Sequence, residues 1–311
     1  MNKRPAMNIG AVERDTGIGK DTLRVWERRY GFPLPHRDDK GERLYPVEQV
    51  ERLRLIRRLM DQGHRPGRLL AADEETLAQL TAQSAPATTT PTPDDQLLQQ
   101  ILQMIRAHDL PALRQTLEQI MMRQGLQGFV LDTIVPLNHA VGEAWIRGEL
   151  AIFEEHLYTE QMQSLLRRAI GNLTQTPGQA RILLTTVPDE LHALGLLMAE
   201  ALLSLDGANC LSLGTQTPLL DIRMAAEAQA ADIVALSFSS AFPSRQIPPL
   251  ISQLRALLPA SIELWIGGAG AGRVPAQPGL VILSCLQGAQ AALADWRSRQ
   301  PGATPAAALT R

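Results

Sequence analysis

In the second half of the chain, residues that can bind a metal ion directly follow a predicted β-strand. The apolar run at 181–187 predicts a buried strand, and Asp189, Glu190 and His192 follow it. An imidazole can bind a metal through one ring nitrogen while a carboxylate fixes the other nitrogen. Either Glu190 or Asp189 could supply that carboxylate. A histidine placed only for structural reasons would give the same pattern, so the segment alone leaves both interpretations open.

Small residues occupy the ends of neighbouring predicted strands. A glycine shortly after the histidine leaves room for a bulky group near the start of the next helix, since it has no side chain. Bare strand ends suit a flat or tail-like cofactor, and the sequence offers no evident Ser-His-Asp or Cys-His arrangement for nucleophilic catalysis. The residues concerned are Gly195, Ser237, Ser239, Gly267, Gly268 and Gly270.

These residues fall within an alternating pattern of strands and helices over 177–300. The strands "RILLTTV", "CLSLG", "DIVALSFS", "ELWIGG" and "LVIL" alternate with helices expected at 194–205, 218–230, 246–258 and 287–298. This rhythm predicts a Rossmann-like (flavodoxin-like) parallel sheet with helices on both faces. Ligands of such sheets lie at the carboxyl ends of the strands, which is where the candidate residues are found.

The middle of the chain, 96–176, predicts a four-helix bundle with short turns. It contains Trp145 and the pair Glu155-His156. If the chain turns at 147–149, these three side chains come from two adjacent helices and converge at one end of the bundle. An indole in such a place is more often an ordinary core residue. Residues 81–95, rich in Pro and Thr, predict a linker, and 301–311 a flexible tail.

The front of the chain, 1–80, is basic. Residues 1–70 hold 16 of the 30 Lys and Arg but only 10 of the 32 Asp and Glu, which is typical of a nucleic-acid-binding head on an acidic body. The sequence predicts one helix over "MNIGAVERDTGI", a second over "GKDTLRVWERRYG", a hairpin-like loop at "HRDDKGERLYP" and a long third helix. The second helix carries Lys20, Arg24, Arg28 and Arg29, which could bind DNA or simply be solvated.

Bulk properties describe a soluble globular protein, with 45% hydrophobic and 20% charged residues among 311. No apolar run is long enough to span a bilayer, and no signal core follows the N-terminus, so we expect a cytoplasmic protein. Cys210 and Cys285 lie in apolar strand-like runs and are expected to be inert core thiols.

Two parts of the chain resemble known families. Residues 8–63 resemble the winged helix-turn-helix of MerR-type regulators, through "TLRVWERRYGFP" and the following "R…G.R.Y". That resemblance implies DNA contacts by Arg24, Arg28 and Arg29 from the recognition helix, and by Arg37, Arg43 and Tyr45 from the wing.

The segments Glu190-Leu-His192-Ala-Leu-Gly195, Ser237-Phe-Ser239 and Gly267-Gly268 resemble the cobalamin-binding domain of methionine synthase and the mutases. The resemblance implies that His192 is the lower axial ligand of cobalt. It also implies that the serines and glycines line the slot for the nucleotide tail of the cofactor.

The order of head, Trp…Glu-His bundle and cobalamin domain resembles the cobalamin-based photoreceptor repressors of the CarH/LitR kind. The resemblance implies adenosylcobalamin as cofactor, with Trp145, Glu155 and His156 around its adenosyl group, and dark tetramers on operator DNA that dissociate in light. In the best-known members a cobalt-capturing His follows the Trp, whereas here Ile146 does. His139 and His156 are the other imidazoles in this part of the bundle, and His156 or a water could take that position instead.

The sequence therefore predicts a non-enzymatic, light-responsive DNA-binding regulator, a repressor in function, that uses adenosylcobalamin. One alternative is a MerR-like regulator controlled by the level of cobalamin or by a protein partner. Another is a corrinoid-carrying module of a methyltransferase or mutase, which the DNA-binding head disfavours.

Overall fold

The computed structural model describes residues 6–38, 41–61, 64–82, 93–173 and 179–300. The chain forms two compact units. One comprises Met1–Gln96 with Ala140–Ile152, and the other comprises Leu97–His139 with Phe153–Arg311. Most of the predicted linker 81–95 and all of the predicted tail 301–311 lie outside the described residues.

The head combines short helices with a small antiparallel sheet in the order β1-β3-β2. Its strands are β1 (Ala6–Asn8), β2 (His36–Arg37) and β3 (Arg43–Pro46), and its helices are α1 (Ile9–Thr16), α2 (Lys20–Tyr30), α3 (Val47–Asp61), α4 (Pro66–Ala71) and α5 (Glu74–Ala82). The predicted hairpin is the β2–β3 pair.

The predicted first helix starts too early. Met7 pairs with Tyr45 in the sheet, and the side chain of Asn8 accepts a hydrogen bond from the backbone N–H of Ala11 at 2.8 Å. Asn8 is therefore the cap that begins α1, because a side-chain oxygen at this position satisfies a free N–H of the first turn.

The long third helix, α3, buries one apolar face. Val50, Leu53, Ile56 and Leu59 are all fully or almost fully buried. They pack with Leu23 and Trp26 of α2 in one apolar cluster, so α2 is fixed to the rest of the head by its inner face.

The predicted four-helix bundle is present. It consists of α6 (Pro93–Arg106), α7 (Leu110–Gly128), α8 (Val135–Ile146) and α9 (Ile152–Gly171), with a π-helical segment at Phe129–Ile134. Gly125 takes a left-handed conformation inside α7, with φ of 70°, and kinks it before the π-helical segment. Tyr158 of α9 is buried and donates a hydrogen bond to the side chain of Asn138 of α8, which joins two of the helices.

A five-stranded parallel sheet follows, in the order β5-β4-β6-β7-β8. Its elements are β4 (Arg181–Thr185), α10 (Leu194–Leu205), β5 (Asn209–Gly214), α11 (Leu219–Ala228), β6 (Ile233–Ser237), α12 (Ile247–Leu257), β7 (Glu263–Gly267), β8 (Leu280–Ile282) and α13 (Leu286–Ser298). Helices α10 and α13 pack together, as do α11 and α12, and each pair covers one face of the sheet.

The strand order places a topological switch point beside β4. Strand β4 pairs with β5 on one side and with β6 on the other, so the chain leaves the two strands β4 and β6 in opposite directions. A crevice opens at the carboxyl ends of strands at such a point, and ligands of doubly wound sheets bind there. The residues that follow β4 and β6 are therefore the ones best placed to meet a ligand.

The two cysteines differ from each other. Burial raises the pKa of Cys210 to about 12, so this thiol is inert as predicted. Cys285 is exposed, and its Sγ accepts a hydrogen bond from the N–H of Gly288 at 3.3 Å at the start of α13. The prediction of a core thiol at Cys285 is wrong, because the residue caps a helix instead of lying in a strand.

Within the described residues, no helix has both the length and the apolar character that crossing a membrane requires.

Candidate functional site

The loop after β4 turns one of its two carboxylates inward. Asp189 is exposed and takes a left-handed conformation, with φ of 68°, and this turn directs Glu190 into the protein, where it is 1% exposed. The hydroxyl of Thr186 donates to the carbonyl oxygen of Glu190 at 2.7 Å and closes the loop. Of the two candidates in the sequence, Glu190 is thus the carboxylate that faces the site.

Glu190 holds the ends of two strands together. One of its oxygens, Oε1, lies 2.7 Å from Nδ1 of His192 and accepts the backbone N–H of His192 at 3.0 Å. The other, Oε2, accepts the backbone N–H of Ser239 at 2.8 Å and its hydroxyl at 2.9 Å. Ser239 follows β6, so one buried carboxylate links the residues after β4 and β6 at the switch point.

These contacts fix the protonation states of the pair. Burial alone would raise the pKa of Glu190, but the hydrogen bonds from His192 and Ser239 outweigh it and lower that pKa. The hydrogen bond to Glu190 raises the pKa of His192 against the effect of burial, and the charge of Glu155 adds to the increase. An ionised carboxylate can only accept, so Nδ1 of His192 carries a proton.

His192 therefore presents its other nitrogen outward. The side chain is 59% exposed. No hydrogen bond to Nε2 is seen from any described residue. A neutral imidazole in this tautomer has a lone pair on Nε2, and a carboxylate behind Nδ1 is the usual support of a metal-binding histidine.

Two of the glycines let backbone segments approach closely around the site, and a third lies close to a side chain. A Cβ at Gly268, whose φ is 92°, would lie 2.3 Å from the carbonyl oxygen of Phe238, and a Cβ at Gly270 would lie 2.5 Å from that of Ser239. A Cβ at Gly195 would lie 3.1 Å from Oγ of Ser237. Gly267 differs, since a Cβ there would make only ordinary contacts.

A second carboxylate–histidine pair lies in the first turn of α9. Oε2 of Glu155 lies 2.8 Å from Nδ1 of His156, and Oε1 accepts the hydroxyl of Thr159 at 2.7 Å. The side chain of His156 is 70% exposed. Sequence reasoning missed Thr159, although its position one helical turn after Glu155 is the signal that could have found it.

Trp145 is half-buried near the end of α8, in the compact unit that includes Ala140–Ile152. The chain turns after Ile146 as expected, with Gly148 at φ of 75°. The convergence of Trp145 with Glu155 and His156 stays a prediction.

The outer face of α2 carries the predicted basic side chains. Lys20, Arg24, Arg28 and Arg29 are exposed, while Leu23 and Trp26 of the same helix are buried. Arg37 of β2 is also exposed, and its guanidinium donates to the carbonyl oxygen of Gly41 at 2.8 Å. These residues form a basic surface of the kind that contacts DNA phosphates and base edges.

Two residues predicted for the wing are placed differently. Nε of Arg43 donates to Oε2 of Glu27 at 2.8 Å, and both side chains are half-buried, so this arginine ties the wing to α2. Tyr45 is 0% exposed, so its predicted contact with DNA is corrected to a role in the core. The reason is that β3 is the central strand of the small sheet, with one face against the apolar cluster of the head.

The chain matches two described families. Residues 7–69 match the MerR HTH family regulatory protein, and residues 96–170 match the B12 binding domain. The first match covers the head as far as α4, and the second covers the helical bundle.

Two curated proteins resemble this chain over most of its length. It is 29% identical over 261 residues to the HTH-type transcriptional repressor CarH of Myxococcus xanthus, covering 82% of this chain and 86% of the relative. It is 28% identical over 267 residues to the HTH-type transcriptional repressor CarA of the same organism, covering 85% and 87%.

Among solved structures, the monomethylamine corrinoid protein of Methanosarcina barkeri has a similar fold. It aligns with a TM-score of 0.50 at 15% identity, over 63% of this chain and 96% of its own. At that identity the likeness concerns the fold alone.

Proposed function

The chain is a MerR-type DNA-binding transcriptional regulator with a B12-binding domain, and from that premise we propose that it senses light through bound adenosylcobalamin. The observation that carries the proposal is the Glu190–His192 pair, with Nδ1 held at 2.7 Å and Nε2 directed outward. A single imidazole with its tautomer fixed suits a metal ion whose other ligands are supplied by the cofactor that contains it.

The residues around His192 fit a cobalamin in their chemistry. Nε2 of His192 would be the lower ligand of cobalt, and Glu190 would keep its proton on Nδ1. Gly195 has no side chain to cover the start of α10 beside Ser237, and this is where the slot for the nucleotide tail would begin. Ser239, Gly267 and Gly268 would complete the walls of that slot at the ends of β6 and β7.

When bound, adenosylcobalamin would supply a cobalt–carbon bond that light breaks. On the protein side, Trp145, Glu155 and His156 would contact the adenosyl group from the bundle and stabilise one packing of its helices. Without those contacts a second packing would be favoured, and the change would act as a shift between two populations.

The basic surface of the head would then bind operator DNA. Lys20, Arg24, Arg28, Arg29 and Arg37 would make the contacts, with Arg43 helping to hold the wing. We propose a cytoplasmic repressor, not an enzyme, that binds DNA as a homotetramer in the dark and dissociates in the light. The two relatives that resemble the chain over most of its length are both transcriptional repressors, which supports the repressor assignment.

A comparison of dark and illuminated protein tests this proposal. The full chain is purified in darkness with adenosylcobalamin, and its visible spectrum, size on gel filtration and operator binding are measured before and after illumination. We expect a bound corrinoid, a light-induced spectral change, a smaller species and weaker operator binding. If size and DNA affinity change with cobalamin concentration but not with light, control by cobalamin level replaces the photoreceptor proposal.

Two histidine variants make the assignment specific. His192→Ala is expected to lose most of the bound cofactor, whereas His139→Ala, which removes an exposed imidazole from α8, should retain it. If both variants retained the cofactor equally, His192 would not be the lower ligand of cobalt.

A further inference from the structure

A buried hydroxyl at the end of β4 joins two loops at the carboxyl edge of the sheet. Thr186, which follows the last residue of β4, is 0% exposed. Its Oγ1 donates a hydrogen bond to the carbonyl oxygen of Glu190 at 2.7 Å and accepts the backbone N–H of Gln216, in the loop after β5, at 2.8 Å. We propose that Thr186 is a positioning residue for the Glu190–His192 pair, and that it acts by fixing the turn that directs Glu190 inward. This inference rests on the proposed function, because that function makes His192 a ligand of cobalt.

The backbone of Thr186 is bound to the end of β5 and the loop after it. Its N–H donates to the carbonyl oxygen of Gly214 at 3.3 Å, and its carbonyl oxygen accepts the N–H of Thr217 at 3.0 Å. The backbone donor, the backbone acceptor and the hydroxyl of Thr186 are therefore all engaged. A threonine side chain has few χ1 rotamers, so the hydroxyl stays between the two loops. The loop after β5 is thus the fixed point against which the hydroxyl holds Glu190.

The turn between Thr186 and Glu190 contains a residue in an unfavourable conformation. Asp189 has a φ of 68°, which a residue with a Cβ adopts at a cost unless neighbouring contacts hold it there. Two hydrogen bonds close the turn. The N–H of Glu190 donates to the carbonyl oxygen of Val187 at 3.2 Å, and the hydroxyl of Thr186 donates to the carbonyl oxygen of Glu190 at the shorter distance of 2.7 Å. We expect Asp189 to relax towards an ordinary φ when that hydroxyl is absent.

A relaxed turn would weaken the contacts that the Glu190 side chain makes. Its oxygens lie 2.7 Å from Nδ1 of His192 and 2.8 Å from the backbone nitrogen of Ser239, and both distances depend on the direction in which Glu190 leaves the turn. Glu190 is 1% exposed, so solvent has little access to a carboxylate that has lost a partner. No described hydrogen bond joins Thr186 to His192, so the effect of Thr186 on the imidazole passes through Glu190.

The preceding residue, Thr185, provides a matched control. It is also 0% exposed, and its hydroxyl donates to the carbonyl oxygen of Gly214 at 3.0 Å and lies 2.7 Å from Oγ1 of Thr217. Among the described residues, none of its side-chain hydrogen bonds goes to Glu190. Removing the hydroxyl of Thr185 therefore removes a buried contact between β4 and the loop after β5, and leaves the turn at Glu190 with both of its hydrogen bonds.

The first measurement uses the full chain without cofactor. Thr186→Val replaces the hydroxyl by a methyl group of similar size, Thr186→Ser keeps the hydroxyl, and Thr185→Val is the control. NMR titration of the His192 ring protons gives the pKa of His192, which the hydrogen bond to Glu190 raises. We expect Thr186→Val to move that pKa towards the ordinary value of about 6.5, while Thr186→Ser and Thr185→Val keep the value of the unmodified chain.

The second measurement is the affinity of the same variants for hydroxocobalamin, followed by visible absorption. Loss of a contact that supports a metal-binding histidine typically weakens metal binding about 10- to 100-fold, so we expect a loss of this size in Thr186→Val. Thr186→Ser and Thr185→Val should bind as the unmodified chain does. A purely structural role would lower the free energy of unfolding of both valine variants and would leave their His192 pKa and their affinity alike.

The two measurements separate this inference from the function on which it rests. If Thr186→Val and Thr185→Val have the same His192 pKa and the same hydroxocobalamin affinity, Thr186 is not a positioning residue, and the proposed function is unaffected. If the unmodified chain does not bind hydroxocobalamin, the proposed function is overturned, and the NMR comparison still decides whether Thr186 positions the Glu190–His192 pair.

Thr186→Ala extends the test to the case in which Thr186→Val does not fold. Alanine removes the hydroxyl without placing a second methyl group against the carbonyl oxygen of Glu190. The pKa of His192 and the affinity for hydroxocobalamin should both fall, as in Thr186→Val. Unchanged values in a folded Thr186→Ala protein would overturn the inference.

Discussion

Glu155 and His192 interact electrostatically between the helical bundle and the sheet. The pKa of His192 is raised chiefly by its hydrogen bond to Glu190, and the charge of Glu155 raises it further. A residue of the bundle thus affects the group proposed to hold cobalt in the sheet domain. A change of charge at Glu155 is therefore expected to alter the pKa of His192.

Glu190→Gln should weaken cobalamin binding about 10- to 100-fold, because an amide cannot accept from His192 and Ser239 at once without presenting its own N–H₂ to one of them. Spectroscopic titration with hydroxocobalamin measures the change. Asp189→Asn is the matched control, since Asp189 is the adjacent carboxylate, is exposed and has a φ of 68° that asparagine tolerates. Equal losses in the two variants would contradict the assignment of Glu190 as the supporting carboxylate.

The imidazole of His192 should titrate above the ordinary histidine pKa of about 6.5 in the cofactor-free protein. Because the folded-state pKa of His192 is raised and that of Glu190 is lowered, the pair stabilises the fold fully between about pH 4.5 and about pH 6.5. That contribution is lost as the pH rises through the raised value of His192 or falls through the lowered value of Glu190. NMR titration of the ring protons reports the pKa. Glu190→Gln should lower it strongly and Glu155→Gln only slightly; the opposite order would show that the bundle carboxylate dominates.

Arg28→Ala should weaken operator binding by roughly tenfold or more, through loss of an exposed guanidinium on the outer face of α2, and should leave the corrinoid spectrum unchanged. Fluorescence anisotropy with labelled operator gives the affinity. Arg223→Ala serves as the control, because it removes the same charge from α11 in the sheet domain. Similar losses in both variants would indicate an effect of net charge and not of the head surface.

Tyr45→Phe should leave operator affinity unchanged and keep or raise the free energy of unfolding, by up to about 1 kcal/mol. The side chain is fully buried, and its hydroxyl has no hydrogen-bond partner among the described residues. The buried hydroxyl therefore lowers the free energy of unfolding, and phenylalanine lacks it. Urea denaturation measures the stability. A clear loss of operator affinity in a stable Tyr45→Phe protein would restore the contact with DNA that the sequence suggested.

Gly268→Ala should destabilise the protein by about 2–3 kcal/mol, because its backbone has a φ of 92° and a Cβ would lie 2.3 Å from the carbonyl oxygen of Phe238. Gly267→Ala, one residue earlier, should cost less than about 1 kcal/mol, since its nearest contact would be an ordinary 3.5 Å. Thermal or urea unfolding compares the two. Equal destabilisation would mean that the loop can shift away from β6.

The architecture follows from local patterns in the sequence. The helix at 194–205 has the predicted bounds, and the ends of the other three helices lie within two residues of their predicted positions, because apolar periodicity and turn residues determine them. The paired use of Glu190 and His192 was also foreseeable from their spacing. What the sequence left open was the choice between Glu190 and Asp189, which the left-handed turn at Asp189 decides in three dimensions.

Other features depend on contacts between residues far apart in the chain. The burial of Tyr45 arises because residues 6–8 pair with β3 and make it a central strand, and the sequence of the wing alone does not contain that information. The contact between Arg43 and Glu27 likewise joins two elements 16 residues apart. Ser239 reaches Glu190 across 49 residues, and only the parallel pairing of β4 with β6 brings them together.

The hydrogen bonds of Glu190 have one further consequence. All the partners of Glu190 are residues of the chain itself, so they orient the receiving nitrogen without help from a ligand, and we expect little conformational entropy to be lost when a corrinoid binds. Preorganisation of this kind mainly slows departure. We therefore expect the cofactor to stay with the chain far longer than a diffusing metabolite would. The activity of the regulator would then depend on the chemical state of the cofactor that it already holds, and not on the momentary concentration of free corrinoid around it.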